Sequence, residues 1–224
     1  MRVAVAMSGG VDSSVAAALL VKGGHAVQGL TMRLWTEPAA EGPAEDSLAA
    51  ARAVCAHLGI PHEVVDLREQ FLREVVGYFI QEYAQGRTPN PCLRCNRLLK
   101  FGLLLEQAQK LGCEFLATGH YARVRRSGDE YHLLCGVDSS KDQSYVLYAL
   151  QQPQLRRVLF PLGERTKADA RRLAAEWGLP VSGRAESQDA CFIADNDYRR
   201  FLAERLPEAI RRGPILDRQG RLLG

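Results

Sequence analysis

The chain has 224 residues, with 29 Lys and Arg against 26 Asp and Glu, so its formal net charge is +3. Hydrophobic residues make up 46% and charged residues 25%, which are globular values that exclude a disordered or fibrous chain. No stretch approaches the roughly 20 consecutive apolar residues that span a bilayer, and the N-terminus lacks the apolar core of a secretory signal. These features predict a soluble, cytoplasmic protein with no membrane partner.

Short apolar runs alternate with amphipathic segments along most of the chain. In chain order the pattern predicts strands over 3–7, 26–34, 62–65 and 115–118, helices over 12–22, 44–58, 67–83, 96–111 and 167–177, an irregular loop over 38–43 and a hairpin over 121–134. Strands that alternate with helices predict an α/β fold, a Rossmann-like parallel sheet with helices on both faces. Ligands of such sheets bind beyond the carboxyl ends of the strands.

The segment after Asp195 departs from this alternation. Pro207 and the Gly213-Pro214 pair are typical of a linker, and residues 217–220 predict a turn between short strands. We therefore predict one full domain over 1–205 and, over 206–224, a linker and the start of a second small domain whose remainder is absent. Residues 198–224 contain seven arginines against three acidic residues, a balance of +4, which indicates either a solvated helix or contact with a polyanion.

The loop Ser8-Gly9-Gly10-Val11-Asp12-Ser13-Ser14 joins the first predicted strand to the first predicted helix. Two glycines let the backbone approach an anion closely, and backbone N–H groups, serine hydroxyls and the helix N-terminus can cradle phosphate. The loop is not of the Walker form, because no Lys-Ser/Thr pair follows the glycines. From the residues alone, an ordinary glycine turn with a helix cap is the alternative interpretation.

Six cysteines divide into two groups. Cys55, Cys113 and Cys135 lie in apolar surroundings and are predicted to be core residues. Cys92 and Cys95 follow a proline-rich stretch, where Cys95 would open a helix whose dipole lowers the thiol pKa. A single CxxC is half of a zinc site, and histidines such as His120 are more typical of structural roles. Redox or sulfur-transfer chemistry, metal binding and a structural role therefore stay open for Cys92, Cys95 and Cys191.

Five motifs together carry a family resemblance. They are Ser-Gly-Gly-Val-Asp-Ser from Ser8, Pro-Asn-Pro-Cys-x-x-Cys-Asn from Pro89, Ala-Thr-Gly-His-Tyr from Ala117, Lys-Asp-Gln-Ser-Tyr from Lys141 and Ser-Gln-Asp-Ala-Cys-Phe-Ile from Ser187. In order and spacing the chain resembles the bacterial and organellar tRNA-specific 2-thiouridylases of the ATP pyrophosphatase (PP-loop) family, from Met1 to about Leu206. The resemblance implies an adenine nucleotide alpha hydrolase-like fold and an ATP-binding catalytic domain over 1–205.

The activity implied by the resemblance is ATP-dependent exchange of the C2 oxygen of the tRNA wobble uridine for sulfur. Adenylation of that oxygen creates a good leaving group, AMP, and a cysteine persulfide or cluster-bound sulfide then supplies the sulfur. The implied cofactors are ATP and Mg²⁺, and the implied partners are tRNA and an upstream sulfur donor, which is a sulfur relay protein, a cysteine desulfurase or sulfide.

The resemblance also assigns site residues. Cys95 matches the nucleophile and Cys191 the cysteine that carries the persulfide. Asp12 matches a residue that helps position Mg²⁺. The residues matched to the ATP site are Ala6, Met7, Ser8, Gly9, Gly10, Val11, Asp12, Ser13, Met32 and Gly119, and those matched to tRNA contacts are Asn90, Pro91, Cys92, Lys141, Asp142 and Gln143.

One departure from the family pattern bears on the mechanism. Well-known members have Asp where this chain has Cys92. Cys92, Cys95 and Cys191 could therefore ligate a 4Fe–4S cluster with one iron site open for hydrosulfide. The alternatives are a persulfide on Cys191 with Cys95 as partner, or Cys92 as an extra resolving thiol.

Two rival functions remain. Another PP-loop ATP pyrophosphatase, an amidating ligase or synthetase acting on a small molecule, would share the phosphate loop without needing these cysteines. A metal- or redox-binding module with a vestigial loop would show no tRNA-stimulated exchange between ATP and pyrophosphate.

Overall fold

The protein is described here from a computed structural model that covers residues 1–38, 41–184, 190–208 and 213–224. Its strands are β1 (Arg2–Ala6), β2 (Ala26–Arg33), β3 (His62–Asp66), β4 (Phe115–Ala117), β5 (Ala122–Ser127), β6 (Glu130–Cys135) and β7 (Val158–Leu159). Five of them form one parallel sheet in the order β3-β2-β1-β4-β7, and β5 and β6 form an antiparallel hairpin. The predicted Rossmann-like parallel sheet is confirmed.

The helices pack around this sheet. They are α1 (Val11–Lys22), α2 (Glu41–His57), α3 (Arg68–Phe71), α4 (Gly77–Ala84), α5 (Pro91–Arg94), α6 (Leu105–Lys110), α7 (Gln152–Leu155), α8 (Lys167–Glu176) and α9 (Tyr198–Arg205). A π-helical segment, Leu72–Val76, joins α3 to α4, and a second, Cys95–Leu104, joins α5 to α6. None of the helices within the described ranges is long and apolar enough to cross a lipid bilayer.

Both faces of the sheet are covered. Along β1, Val3 and Val5 belong to a buried cluster that includes side chains of α1 and α8. Ala4 points the other way and joins a cluster with Leu104 and Ala108. This alternation is the period-2 pattern of a strand, and burial of both sets explains why β1 reads as a continuous apolar run.

A third cluster lies beyond the end of β2. Phe71, Phe79 and Phe201 surround Phe192, with ring centroids 5.4–5.8 Å from it in edge-to-face arrangements. Such aromatic pairs stabilise a fold beyond simple area burial. The cluster therefore anchors the turn that carries Cys191 to the α3–α4 helix.

Three element predictions need correction. α2 begins at Glu41, inside the predicted loop over 38–43, of which residues 39 and 40 lie outside the described part of the chain. The helix predicted from residue 96 begins at Pro91, because the Asn90 side chain accepts hydrogen bonds from the N–H groups of Cys92 and Leu93 at 3.0 and 3.3 Å. The short elements α7 and β7 were not predicted, since two to four residues carry no readable period.

The C-terminal turn is confirmed. Leu216 and Leu222 form an antiparallel bridge, and the N–H of Gly220 donates to the carbonyl of Asp217 at 3.0 Å. The division into domains over 1–205 and 206–224 stays a prediction.

Candidate active site

The loop between β1 and α1 is held by its own serines. Ser13 Oγ accepts the N–H of Ser8 at 3.2 Å and donates to the carbonyl of Gly10 at 3.1 Å, and Ser14 Oγ donates to the same carbonyl at 2.8 Å. No described side chain caps the N-terminus of α1. The helix therefore presents N–H groups and the positive end of its dipole to the solvent in front of the loop, which is the arrangement that binds phosphate.

Two of the predicted ATP-site glycines are required by close backbone contacts. Gly9 has φ of +74°, and a Cβ placed on it would lie 2.1 Å from the carbonyl oxygen of Ser47 in α2. A Cβ on Gly119, which follows β4, would lie 2.7 Å from the backbone nitrogen of Ser13. Since β1 and β4 are neighbours in the parallel sheet, Gly119 packs directly against the start of α1. The sheet thus brings these two predicted residues together.

The other predicted ATP-site residues line the same carboxyl edge of the sheet. Ala6 ends β1, and the N–H of Met7 donates to the carbonyl of Leu30 at 2.8 Å. Met32 lies near the end of β2, where it packs against two of the buried clusters. Their role in holding an adenosine stays a prediction.

A cation-rich cavity of about 230 Å³ lies in front of the loop. Asp12 contributes the one carboxylate among its described lining residues, and Lys167 Nζ lies 2.6 and 2.8 Å from its two oxygens. The Tyr121 hydroxyl donates to Asp12 at 2.8 Å. The lining residues are Ser8, Gly10, Val11, Asp12, Tyr121, Lys141, Gln143, Lys167, Arg171 and Arg184. Four cations against one carboxylate give the cavity the charge that a triphosphate needs.

Sequence reasoning missed several of these lining residues, among them Lys167 and Arg184. The Arg184 guanidinium donates to the carbonyls of Gly9 and Asp46 at 3.2 Å and to Ser47 Oγ at 3.1 Å. Arg184 lies 175 positions from Gly9, and Lys167 lies 155 positions from Asp12. No local pattern marks such distant partners.

The predicted tRNA-contact segment forms one wall of this cavity. Gln143 Oε1 accepts the N–H of Tyr121 at 3.1 Å, and Lys141 also lines the cavity. Asp142 is used within the segment, where it accepts hydrogen bonds from the Gly136 N–H at 2.8 Å and the Ser144 hydroxyl at 2.7 Å. The segment is therefore adjacent to the phosphate loop, while its contact with tRNA stays a prediction.

The burial of the three predicted core cysteines agrees with the prediction for two of them and not for the third. Cys55 and Cys113 are buried, as predicted for core residues, and burial raises the pKa of Cys55 to about 11. Cys135 is exposed at the end of β6, so its assignment to the core was wrong. The two-stranded hairpin has one solvated face, and an apolar run on it is not buried throughout.

The expected lowering of the Cys95 pKa is also wrong. Burial raises the pKa of this half-buried thiol, and the nearby Cys92 thiol adds to that effect, whereas the charge of Lys100 opposes it. Because the helix begins at Pro91, Cys95 lies one turn inside it, where the dipole is weaker than at the first residues. Desolvation therefore outweighs the dipole.

Cys191 shares these surroundings. Burial of the thiol, with a smaller contribution from the Cys95 and Cys92 thiols, raises its pKa to about 12 against the opposing charge of Lys100, although the residue as a whole is exposed. Charges at Cys95 and Cys92 act on Cys191, so the fold brings together thiols from distant parts of the chain. Residues 187–189 of the Cys191 motif lie outside the described residues.

All six cysteines are free thiols. In the portions of the chain that the structure describes, no three His, Cys, Asp or Glu side chains are arranged to hold a metal ion. Ligation of a 4Fe–4S cluster by Cys92, Cys95 and Cys191 stays a prediction.

His120 has the surroundings of a structural histidine, as its sequence context predicted. Its Nδ1 lies 2.6 Å from the Thr118 hydroxyl, and its ring packs near Phe101 and Phe160. Burial lowers the pKa of His120 well below its ordinary value, and the charge of Lys100 adds to this. The ring is therefore neutral at pH 7.

The parallel sheet, with its glycine–serine loop facing a cation-lined cavity, defines an α/β domain with a cavity suited to an anion at the carboxyl edge of the sheet. The chain belongs to the family described as the tRNA methyl transferase HUP domain, whose model matches residues 1–195. Along its whole length the chain is similar to proteins named tRNA-specific 2-thiouridylase MnmA, which confirms the resemblance found in the five motifs.

Two of these relatives give the extent of the similarity. That of Carboxydothermus hydrogenoformans is 51% identical over 233 residues, covering 100% of this chain and 64% of the relative. That of Roseiflexus castenholzii is 49% identical over 244 residues, covering 100% and 66%. The chain thus spans just under two thirds of the length of these relatives.

Two solved structures share the fold. The U34-tRNA thiolase NcsA from Methanococcus maripaludis, with its [4Fe-4S] cluster, has a TM-score of 0.57 at 21% identity, covering 93% of this chain and 68% of that one. The NMN synthetase from Francisella tularensis has a TM-score of 0.52 at 17% identity, covering 94% and 79%.

Proposed function

We propose that this chain catalyses the ATP-dependent 2-thiolation of the wobble uridine of tRNA. The observation that carries the proposal is that the Cys95 and Cys191 thiols lie near enough for the charge of one to shift the pKa of the other. Arg184, which bonds to the loop, precedes Cys191 by seven residues, and seven residues span at most about 25 Å. Both chemistries can therefore act on one substrate base.

The first step is adenylation. The C2 oxygen of the uracil attacks the α-phosphorus of ATP, the bond to the β-phosphate breaks, and pyrophosphate leaves. We assign stabilisation of the charge on the departing group to Lys167 and Arg184, which line the cavity in front of the loop. Asp12 is partly exposed and is the residue that would hold a magnesium ion, which adds positive charge at the same phosphates.

The second step transfers sulfur. The terminal sulfur of a persulfide on Cys191 attacks C2, and the C–O bond breaks so that AMP leaves with the original oxygen. The Cys95 thiolate then attacks Cys191 Sγ, which releases the thiouridine and forms a Cys95–Cys191 disulfide. When the donor is sulfide, it attacks Cys191 Sγ of that disulfide, which forms the Cys191 persulfide and releases Cys95 as a thiol. When the donor is a sulfur relay protein or a cysteine desulfurase, an external thiol first reduces the disulfide, and the Cys191 thiolate then takes the outer sulfur of the donor's own persulfide. We derive no step through an iron–sulfur cluster.

The substrate base must leave the anticodon stack to reach this site. Asn90, Pro91, Cys92 and the Lys141–Gln143 wall are the residues we propose to contact the tRNA. A tRNA substrate implies a cytoplasmic site of action. In this proposal residues 1–205 form the ATP-binding catalytic domain, and residues 206–224 begin a second domain.

The test is mass analysis of tRNA nucleosides after incubation with ATP, magnesium and a sulfide source. Wild type and Cys135→Ser, which removes an exposed cysteine outside the site, should both yield thiouridine. Cys95→Ser and Cys191→Ser should yield none while still releasing pyrophosphate. Thiouridine formed equally well by Cys191→Ser would overturn the proposal, and amidation of a small acid by all four proteins would identify a ligase instead.

Iron content separates the two sulfur routes. Protein purified without oxygen should contain no stoichiometric iron and still thiolate tRNA. Three cysteine-dependent irons or more per chain, required for activity, would replace the persulfide route with a cluster.

A further inference from the structure

A buried carboxylate, Glu37, lies beside the turn that carries Cys191. Its side chain is 6% exposed, and it follows β2 at the carboxyl edge of the sheet. The N–H of Ala194 donates to Glu37 Oε2 at 3.1 Å, and the N–H of Glu37 donates to the carbonyl of Phe192 at 3.2 Å. Glu37 thus bonds to two backbone positions within three residues of Cys191.

Two arginines of α9 neutralise this carboxylate. Arg200 lies 2.7 Å from Glu37 Oε2 and 3.3 Å from Oε1, and Arg205 lies 3.3 Å from Oε1. Arg200 also binds Asp195, four residues after Cys191, at 2.7 Å. The hydrogen bond from Arg200 lowers the pKa of Glu37, so the carboxylate is charged at neutral pH. A buried charge is tolerated only with such pairing, because its desolvation is costly.

Phe192 and Glu37 stabilise the Cys191 turn through different kinds of interaction. Phe192 is buried among aromatic rings and supplies non-directional attraction. Hydrogen bonds have defined directions, and those of Glu37 fix the backbone on one side of Cys191 relative to β2. Without Glu37 the turn would stay attached through Phe192 but would lose its orientation.

We propose that Glu37 is a positioning residue, which holds the Cys191 turn so that its sulfur lies within reach of Cys95. In this proposal Arg200 and Arg205 of α9 stabilise the buried Glu37 carboxylate by ion pairing. Its meaning for sulfur transfer rests on the proposed function, but the juxtaposition can be measured without tRNA.

The experiment measures how fast the Cys95–Cys191 disulfide forms when 5,5′-dithiobis(2-nitrobenzoate) is added. One thiolate displaces a thionitrobenzoate to give a mixed disulfide, and the second displaces the other thionitrobenzoate, so two thiols are oxidised and one reagent is reduced. Peptide mass mapping identifies the product. Glu37→Gln, which keeps an acceptor oxygen but loses the charge, should slow the closing step about tenfold.

The matched control is Glu204→Gln. Glu204, like Glu37, binds Arg200, at 3.0 Å, but its side chain is 54% exposed and no hydrogen bond among the described residues joins it to the Cys191 turn. This variant should close the disulfide within about twofold of wild type, because exposed ion pairs contribute little. Alkylation of Cys191 by a monofunctional reagent should not slow in Glu37→Gln, whereas general loosening of the fold would also expose Cys55 and Cys113.

If Glu37→Gln does not fold, as judged by loss of the ATP-induced rise in melting temperature, Arg200→Lys replaces it. Lysine keeps the charge but not the two-pronged contact, so closure should slow severalfold. Closure at the wild-type rate in the folded variant, or no closure in wild type, overturns the proposal. Absence of tRNA thiolation by wild type would instead remove the proposed function and leave this measurement intact.

Discussion

The phosphate loop and the thiol site lie near one edge of the sheet but are built in opposite ways. The loop has its conformation without a ligand, because Gly9 packs closely against backbone atoms of α2 and the Ser13 hydroxyl already donates to the carbonyl of Gly10. The thiols come from separate segments, are protonated at neutral pH and are held only by contacts around them. A preorganised anion site needs no rearrangement to stabilise charge, whereas a reactive thiol must first lose its proton.

The largest effect should come from filling the space at Gly9. Gly9→Ala should abolish ATP binding and destabilise the fold, since left-handed backbone costs about 1–2 kcal/mol and overpacking adds about 1–3 kcal/mol. Gly24→Ala is the control, because Gly24 also has φ of +74° but nothing within 4 Å of a Cβ. Calorimetric ATP titration and thermal unfolding measure both. Equal losses in the two variants would show that the contact with Ser47 does not matter.

Removal of a cation should have the next largest effect. Lys167→Met leaves Asp12 without its ion pair and should weaken ATP binding about 10- to 100-fold, since bonds to charged groups are worth about 1.5–3 kcal/mol. Arg172→Met, on the exposed side of the same helix, should change affinity little. Unchanged affinity in Lys167→Met would exclude Lys167 from the phosphate site.

The pH dependence of thiol alkylation tests the other half of the comparison. A raised pKa keeps the proton on Cys191 at neutral pH, so its alkylation rate should keep increasing above pH 9 towards pH 12. Residue-resolved mass spectrometry with iodoacetamide gives the profile. A rate for Cys191 that levels off below pH 8 would mean that the thiol is already activated in the free protein.

The smallest effect should follow loss of Lys100, a cation that acts on both thiols. Lys100→Met should raise the pKa of Cys95 and Cys191 and slow their alkylation at pH 8 about two- to fivefold. Lys110→Met removes an exposed lysine from the end of the same helical run and serves as the control. Faster alkylation in Lys100→Met would reverse the assigned sign.

The loop was easier to predict from the sequence than the thiol site. The path from β1 through the loop to α1 was predictable, because an apolar run, two glycines and a helical segment are adjacent in the chain. The start of the Cys95 helix was missed, although Asn90 followed by Pro91 is a readable cap. Arg184, Lys167 and the bonds of Glu37 depend on contacts over more than 130 positions, which no local pattern contains.

The basic C-terminal stretch, residues 198–224, also shows that local sequence does not reveal distant contacts. Its balance of +4 indicated a solvated helix or a polyanion contact, yet Arg200 and Arg205 bind carboxylates within the fold. Charge counts do not reveal which cations are already paired. Any contact of this stretch with tRNA would depend on its other arginines.

The most direct test of the account follows the oxygen that sulfur replaces. A tRNA labelled with ¹⁸O at C2 of the wobble uridine is incubated with the protein, ATP, magnesium and a sulfide source, and the AMP is analysed by mass spectrometry. Adenylation of the base predicts that every AMP formed with thiouridine carries one ¹⁸O. Unlabelled AMP, with thiouridine formed and the label released to water, would contradict it.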